Sequence, residues 1–224
     1  MTACDDCLRR TDLIVALSGR LQIEFKRRDA PGRVLALADH ELLELGTGDI
    51  VRRFGAFDPS AARARAAAAR LEAICRCDAA YPDRLRDLAD PPAVLHVLGD
   101  PRALTDEDAV AVVGARRASS YGLEVARALG RGLSAAGVPV VSGLALGIDS
   151  AAHAGALQAP GRTVAVLAGS AHVAYPARGR LLHRAVAEQG AVVSEFPPGA
   201  PVQRWCFVAR NRIIAALGAA TIVV

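Results

Sequence analysis

At 224 residues the chain can bury a sizeable core and hold one α/β unit with a small companion. Alanine dominates its 52% hydrophobic content, and no apolar run reaches the roughly 18 to 20 residues of a membrane span, which excludes a membrane-spanning helix. A net charge of +4 suits an anionic partner without demanding one, so charge by itself selects no function.

The segment Met1 to Arg10 carries acids and cysteines where a signal peptide would show a basic and then an apolar stretch, so a cytoplasmic protein is expected. Five cysteines, an odd number, fit a reducing compartment rather than a disulfide framework. Cys4-x-x-Cys7 has metal-ligand spacing, and Cys75-x-Cys77 can supply a second pair for a tetrathiolate zinc site between two units. That second pair is tighter than usual zinc spacing, so unligated thiols are the expectation and no metal is assigned. Cys206 is expected to pack as a small apolar residue.

From Thr11 to about Ile74 the pattern is helical: Leu13, Ile14, Leu17 and Leu21 recur at helical spacing, followed by Val34 to Leu45 and an Ala-rich run from Ala61 to Ile74. Pro31-Gly32, Gly46-Thr47-Gly48 and Asp58-Pro59-Ser60 separate the pieces, with Ser60 the expected cap of the last. Residues 1–77 thus read as a small all-helical domain. Residues 78–106 read as an extended connector, proline-rich around one apolar run, Val94 to Leu98, that has room for a strand.

Residues 107–224 then alternate. Strands are predicted at Ala109–Val113, Val138–Ser142, Thr163–Leu167, Ala191–Ser194 and Ala220–Val224. Helices are predicted between them near Tyr121–Ala136, Asp149–Gln158, Arg178–Gln189 and Val208–Leu217. Ser119 or Ser120 precedes the first helix, and Gly137, Gly190 and Gly218 follow three of them. Such alternation predicts an α/β fold with a doubly wound, mostly parallel sheet. The sequence stops at Val224 inside an apolar strand, and an unfinished sheet edge there reads as truncation.

In such sheets ligands bind beyond the carboxyl ends of the strands, which directs attention to four loops. Val113-Gly114-Ala115-Arg116-Arg117 is a glycine turn into a helix start, where free N–H groups and the helix dipole attract phosphate and Arg116 can close over it. Ser142-Gly143-Leu144-Ala145-Leu146-Gly147-Ile148-Asp149 spaces two glycines for close backbone approach, with Asp149 as the expected helix cap. His153 lies four residues on, and a structural hydrogen bond to Asp149 is preferred over an acid–base pair. Leu167 to Ala171 with Tyr175 to Arg180 reads as a second phosphate contact. Ser194 to Gly199 leads through Trp205 and Phe207 to Arg210-Asn211-Arg212, and rings beside guanidinium groups suit unpaired bases on a phosphate backbone. For Trp205, core and ligand contact stand open.

No G-x-G-x-x-G follows the first strand, no Walker A stretch or G-x-S-x-G elbow occurs, and the lone lysine, Lys26, lies in the helical part. Dinucleotide cofactors, P-loop chemistry and serine hydrolysis are therefore not expected, and nothing in the loops is equipped to break a bond.

As an ordered set these segments resemble the DNA-processing A family (DprA, also called Smf). The match runs through Val113-Gly114-Ala115-Arg116, Val141 to Asp149 with Ala152-His153, Tyr175-Pro176, Ser194 to Gly199, and Phe207 to Ala215, and more loosely through Cys4 to Arg10 and Tyr81-Pro82. The resemblance implies an extended Rossmann-type domain behind a small helical (SAM or helix-hairpin-helix-like) domain. It also implies single-stranded DNA binding in natural transformation, loading of the recombinase RecA, and a homodimer without cofactor or catalysis. Carried over by position, Gly114, Ala115, Arg116, Gly143, Gly147, Phe207, Arg210, Asn211 and Arg212 would line the DNA pocket. The family commonly has Ser where Ala115 stands and often Arg where Leu146 stands, and it continues beyond Val224. The arginines at 116, 210 and 212 are expected to converge on one phosphate-binding groove. Two other classes share such a fold: phosphoribohydrolase-like nucleotide enzymes, whose P-G-G-x-G-T-x-x-E stretch is missing here, and binding modules for small phosphate metabolites.

Overall fold

A computed structural model of the chain describes residues 3–26 and 31–224; Met1 and Thr2, at the start of the acidic leader, lie outside them. The helical part comprises α1 (Asp5–Ala16), α2 (Ser18–Glu24), α3 (Pro31–Ala36), α4 (Asp39–Glu44), α5 (Gly48–Gly55) and α6 (Pro59–Ala68). Leu13, Leu17, Leu21, Val34, Leu35 and Leu42 form its buried face. The cap of α6 is Asp58 rather than Ser60: Pro59 takes the first helical position, where a missing N–H costs nothing, and the Asp58 carboxylate accepts the N–H of Ser60 at 2.8 Å.

The Ala-rich run does not stay helical to Ile74. It ends at Ala68, Arg70 takes a left-handed φ of 57°, and β1 (Glu72–Cys75) begins. After α7 (Asp83–Arg86), the connector contributes β2 (Val94–Gly99). Both strands join the main sheet, so residues placed by sequence in the helical unit and the connector are hydrogen-bonded into the α/β layer.

The rest alternates as predicted: β3 (Val110–Val113), α8 (Ser120–Ala135), β4 (Val140–Ser142), α9 (Ile148–Ala156), β5 (Thr163–Val166), α10 (Arg180–Gln189), β6 (Ala191–Ser194), α11 (Arg204–Leu217) and β7 (Ala220–Val223). The sheet order is β1-β2-β6-β5-β4-β3-β7. Strands β3 to β7 are parallel, whereas β1 and β2 extend the sheet antiparallel beyond β6.

Alternate residues of the buried strands face opposite layers. Val112, Val140, Ala165 and Val192 pack under α8, α9 and α10, while Val141, Val164, Val166 and Val193 pack under α11 and α7. The chain runs outward from β3 through β4, β5 and β6, then returns over the opposite face in α11 to place β7 on the other side of β3. That reversal of winding puts the crevice of the fold at the carboxyl end of β3, beside the middle of α11.

Candidate functional site

The crevice is occupied by a cleft of about 420 Å³ lined by Val113, Gly114, Arg116, Ala145, Asp149, Arg210, Asn211, Ile214, Ala215 and Thr221. A smaller hollow of about 150 Å³ adjoins it, reaching Gly143, Leu146, Leu167, Gly169, Tyr175, Pro176 and Phe207. Arg116, Ala145 and Arg210 line both, so the two form one groove across the loops that follow β3, β4 and β5.

Two of its cations differ in kind. Arg210 is buried, with Nη1 donating to the carbonyls of Gly143 and Val166, each at 2.6 Å, and Nε donating to Asn211 Oδ1 at 3.2 Å. Its Nη2 stands 4.0 Å from the buried carboxylate of Asp149. Burial pulls the Arg210 pKa below its ordinary value; Asp149 opposes that fall and the like charge of Arg116 adds to it. Arg116, in contrast, is exposed, and among the described residues its guanidinium has one recorded contact, 5.6 Å over the ring of Phe207. Phe207 in turn meets exposed Tyr175 at a centroid distance of 5.6 Å. One cation is thus spent on the fold, and one is presented beside an aromatic edge.

The β4–α9 loop holds this arrangement. A side chain on Gly143 would place its Cβ 2.1 Å from Arg210 Nη1, so only glycine lets the guanidinium lie flat on the loop. Gly147, at φ 85°, caps α9 and lets Ile148 donate its N–H to the Ala115 carbonyl at 3.2 Å, clamping this loop to the one after β3. Gly114 sits at the end of β3 against Ile148, and Ala115 is exposed on the rim.

Asp149 does not cap α9 as expected. Gly147 takes that position, and the carboxylate reaches back to accept the N–H groups of Gly143 and Ala145 at 3.2 and 3.3 Å. Burial raises its pKa, against the lowering effect of Arg210 and these N–H groups. Nor does the hydrogen bond of His153 go to Asp149. His153 Nδ1 donates to Thr163 Oγ1 at 2.7 Å, since that hydroxyl spends its own proton on the Val140 carbonyl at 2.8 Å. Burial, aided by the charge of Arg210, lowers the His153 pKa to about 3, so the ring is a neutral core group.

The expected convergence of three arginines is corrected to two. Arg212 donates from Nη1 and Nη2 to the two oxygens of Glu195, at 2.8 and 2.7 Å, and its Nε stands 3.1 Å from Asp90. Burial lowers its pKa, but Glu195 and Asp90 outweigh that and hold the cation firmly charged. Arg212 therefore anchors α11 to the β6 end and the connector, away from the groove. Trp205 is core: its ring is 1% exposed, packs edge-on to Phe196, and donates from Nε1 to Ser18 at 3.2 Å. Cys206 is fully buried, as expected. Tyr175 was not singled out by spacing, although its place before Pro176 and the arginines of the third loop was the available signal.

Fold and groove together define an extended Rossmann-type α/β protein with a basic, aromatic-edged cleft at its winding reversal. Residues 72–224 match the family described as DNA recombination-mediator protein A. The chain belongs to that family. It is 40% identical over 144 residues to the DNA processing protein DprA of Bacillus subtilis, covering 64% of this chain and 48% of that one. Among solved structures, the DNA processing protein A of Streptococcus pneumoniae superposes with a TM-score of 0.74 at 28% identity, over 100% of this chain and 78% of that one. The DNA processing protein A of Helicobacter pylori, described for its single-stranded DNA binding mode, gives a TM-score of 0.60 at 32% identity, over 63% and 65%. The chain spans less than half the length of the curated relatives it matches.

Proposed function

We propose that this chain binds single-stranded DNA in the groove between the β3, β4 and β5 loops and α11, as a binding protein rather than an enzyme. The observation that carries the reading is the exposed Arg116 guanidinium over Phe207, with Tyr175 beside it. A charge without a carboxylate partner among the described residues attracts phosphate, and rings at the edge of the groove offer a stacking surface to unpaired bases. Arg210, with Gly143 and Gly147, acts indirectly by fixing the loop on which that surface rests, and exposed Asn211 on the α11 wall is in place for a further polar contact.

In this reading the chain works in DNA processing during transformation, in the cytoplasm, as a homodimer that shields the strand and passes it to RecA. The family membership and the DNA-binding relative support the DNA part; the dimer and the RecA hand-over rest on the family resemblance. A second reading, a small phosphate metabolite as ligand, is favoured by the cleft of about 420 Å³, a size that suits a nucleotide.

Fluorescence anisotropy of labelled poly-dT, at two salt concentrations with duplex DNA as competitor, separates them. Single-strand preference, a fall in affinity with salt, and a loss of about tenfold in Arg116→Ala are expected, as one charge-assisted contact is worth roughly 1.5 kcal/mol. Affinity independent of oligonucleotide length, or unchanged in the variant, would overturn the DNA reading.

A further inference from the structure

Outside the groove, four thiols from distant parts of the sequence meet at one point. Cys4 caps α1 and Cys7 lies in its first turn; Cys75 ends β1 and Cys77 lies in the turn that follows. The four Sγ atoms all lie within 4.8 Å of one another. Cys7 and Cys77 are 3.8 Å apart, and the Cys4 N–H points to Cys75 Sγ at 3.4 Å. No pair is bonded.

We propose that these residues form a structural zinc site, Zn(Cys)4, that staples the start of the helical part to the first strand of the sheet. Ideal tetrahedral ligation at a Zn–S distance of about 2.3 Å puts sulfurs roughly 3.8 Å apart, so binding requires only a slight contraction of the cluster. The second pair is tighter in sequence than usual zinc spacing, and the fold removes the difficulty: β1 ends at Cys75, and the turn, with Asp78 N–H donating to the Cys75 carbonyl at 2.8 Å, brings Cys77 round to the same side. Cys7 and Cys75 are buried while Cys77 is exposed, so the site has a walled interior and an open face for entry.

The surroundings suit the charge. Zn²⁺ with four thiolates carries a net charge of −2, and ligation releases one proton for each thiol it takes up. The N-terminus of α1 directs its dipole at the cluster, while Arg63, which donates to the Ala3 carbonyl at 2.8 Å, pairs with Asp5 of the same turn and offsets that carboxylate. An N–H aimed at a ligating sulfur, as Cys4 aims at Cys75, is the outer-shell contact such a site uses. Four thiols confined to a small volume, on two segments 71 residues apart and hydrogen-bonded across, are more than the apolar packing of Ala3, Leu8, Ala93 and Val94 around them requires.

The site is independent of the DNA reading, and its test needs no DNA. Untagged full chain purified from zinc-supplemented cells is assayed by elemental analysis. One zinc per chain is expected, with the metal retained on dialysis and thiol reagents reacting with the ligand cysteines only after chelation. Cobalt substitution should give the intense thiolate-to-metal absorption of tetrahedral sulfur ligation. In the Cys4→Ser/Cys77→Ser double variant, zinc content should fall at least tenfold and the thermal midpoint by more than about 5 °C. Because that variant can fold poorly, chelation of the unaltered chain is the second arm: a matching drop in midpoint, restored by zinc and not by magnesium, supports the site. Zinc-free protein whose ligand thiols react freely and whose midpoint ignores chelator overturns the proposal, as do disulfides found by mass.

Discussion

Arg210 and Arg212 stand two positions apart on one helix, which turns their side chains by about 200° and sends them to different surroundings. That geometry explains why a cluster of arginines that reads as one binding patch splits into a loop anchor, an ion pair with Glu195, and one cation, Arg116, facing solvent. Gly143 belongs with the anchor. Gly143→Ala drives a methyl into the Arg210 guanidinium, which must leave two carbonyl acceptors unpaired, so destabilisation of about 1–3 kcal/mol is expected from denaturant unfolding. Arg116→Ala, an exposed substitution, should leave the unfolding midpoint where it is, within roughly 0.5 kcal/mol. Equal midpoints for Gly143→Ala and the unaltered chain would show that the loop gives way and does not position Arg210.

At the scale of elements, α11 meets two parts of the molecule in turn along its length. Trp205, Cys206 and Ala209 near its start pack with the helical part, while Ile213, Ile214 and Leu217 near its end pack on the sheet. Trp205, Ala209, Ile213 and Leu217 form one i, i+4 stripe, but a helix read as starting near Val208 leaves Trp205 outside that stripe and so open between core and ligand contact. Trp205→Ala empties the joint between the two parts and strands the Ser18 hydroxyl; a cost of roughly 3–5 kcal/mol is expected, read as a lower thermal midpoint. If the midpoint holds, α2 and α11 are not coupled through this ring. The β1 strand was missed for a related reason: Glu72 to Cys75 is four residues long and follows an Ala-rich helix without a glycine or proline, so periodicity does not separate it from the helix.

For the molecule as a whole, two buried histidines set a pH dependence. Burial lowers His96 to about 4 and His153 to about 3, against an ordinary value of 6.5. Below pH 6.5 the unfolded chain takes up protons that the folded chain refuses, so stability is full above that pH and falls beneath it. Between pH 6.5 and 5 the two together should remove roughly 3 kcal/mol, measurable as a falling urea midpoint. Burial raises Asp90 and Asp149, an effect of opposite sign that grows as the pH falls, so the measurement stops at pH 5. A flat profile would mean that these rings are protonated in the folded state.

By itself the sequence determined the alternation of strand and helix from Ala109 onward, because periods of 2 and 3.6 in apolar residues, punctuated by glycine and serine, are local properties. It also pointed to the loops that carry the groove, since loops after parallel strands are where the fold places ligands. The tertiary structure alone decided which polar groups face one another. The Arg210 carbonyl partners lie 67 and 44 residues away in sequence, the thiols of Cys7 and Cys77 meet across 70, and the choice between an exposed and a spent guanidinium depends on such long-range neighbours. Spacing along a chain describes one element at a time, while burial and charge pairing are properties of the space between elements.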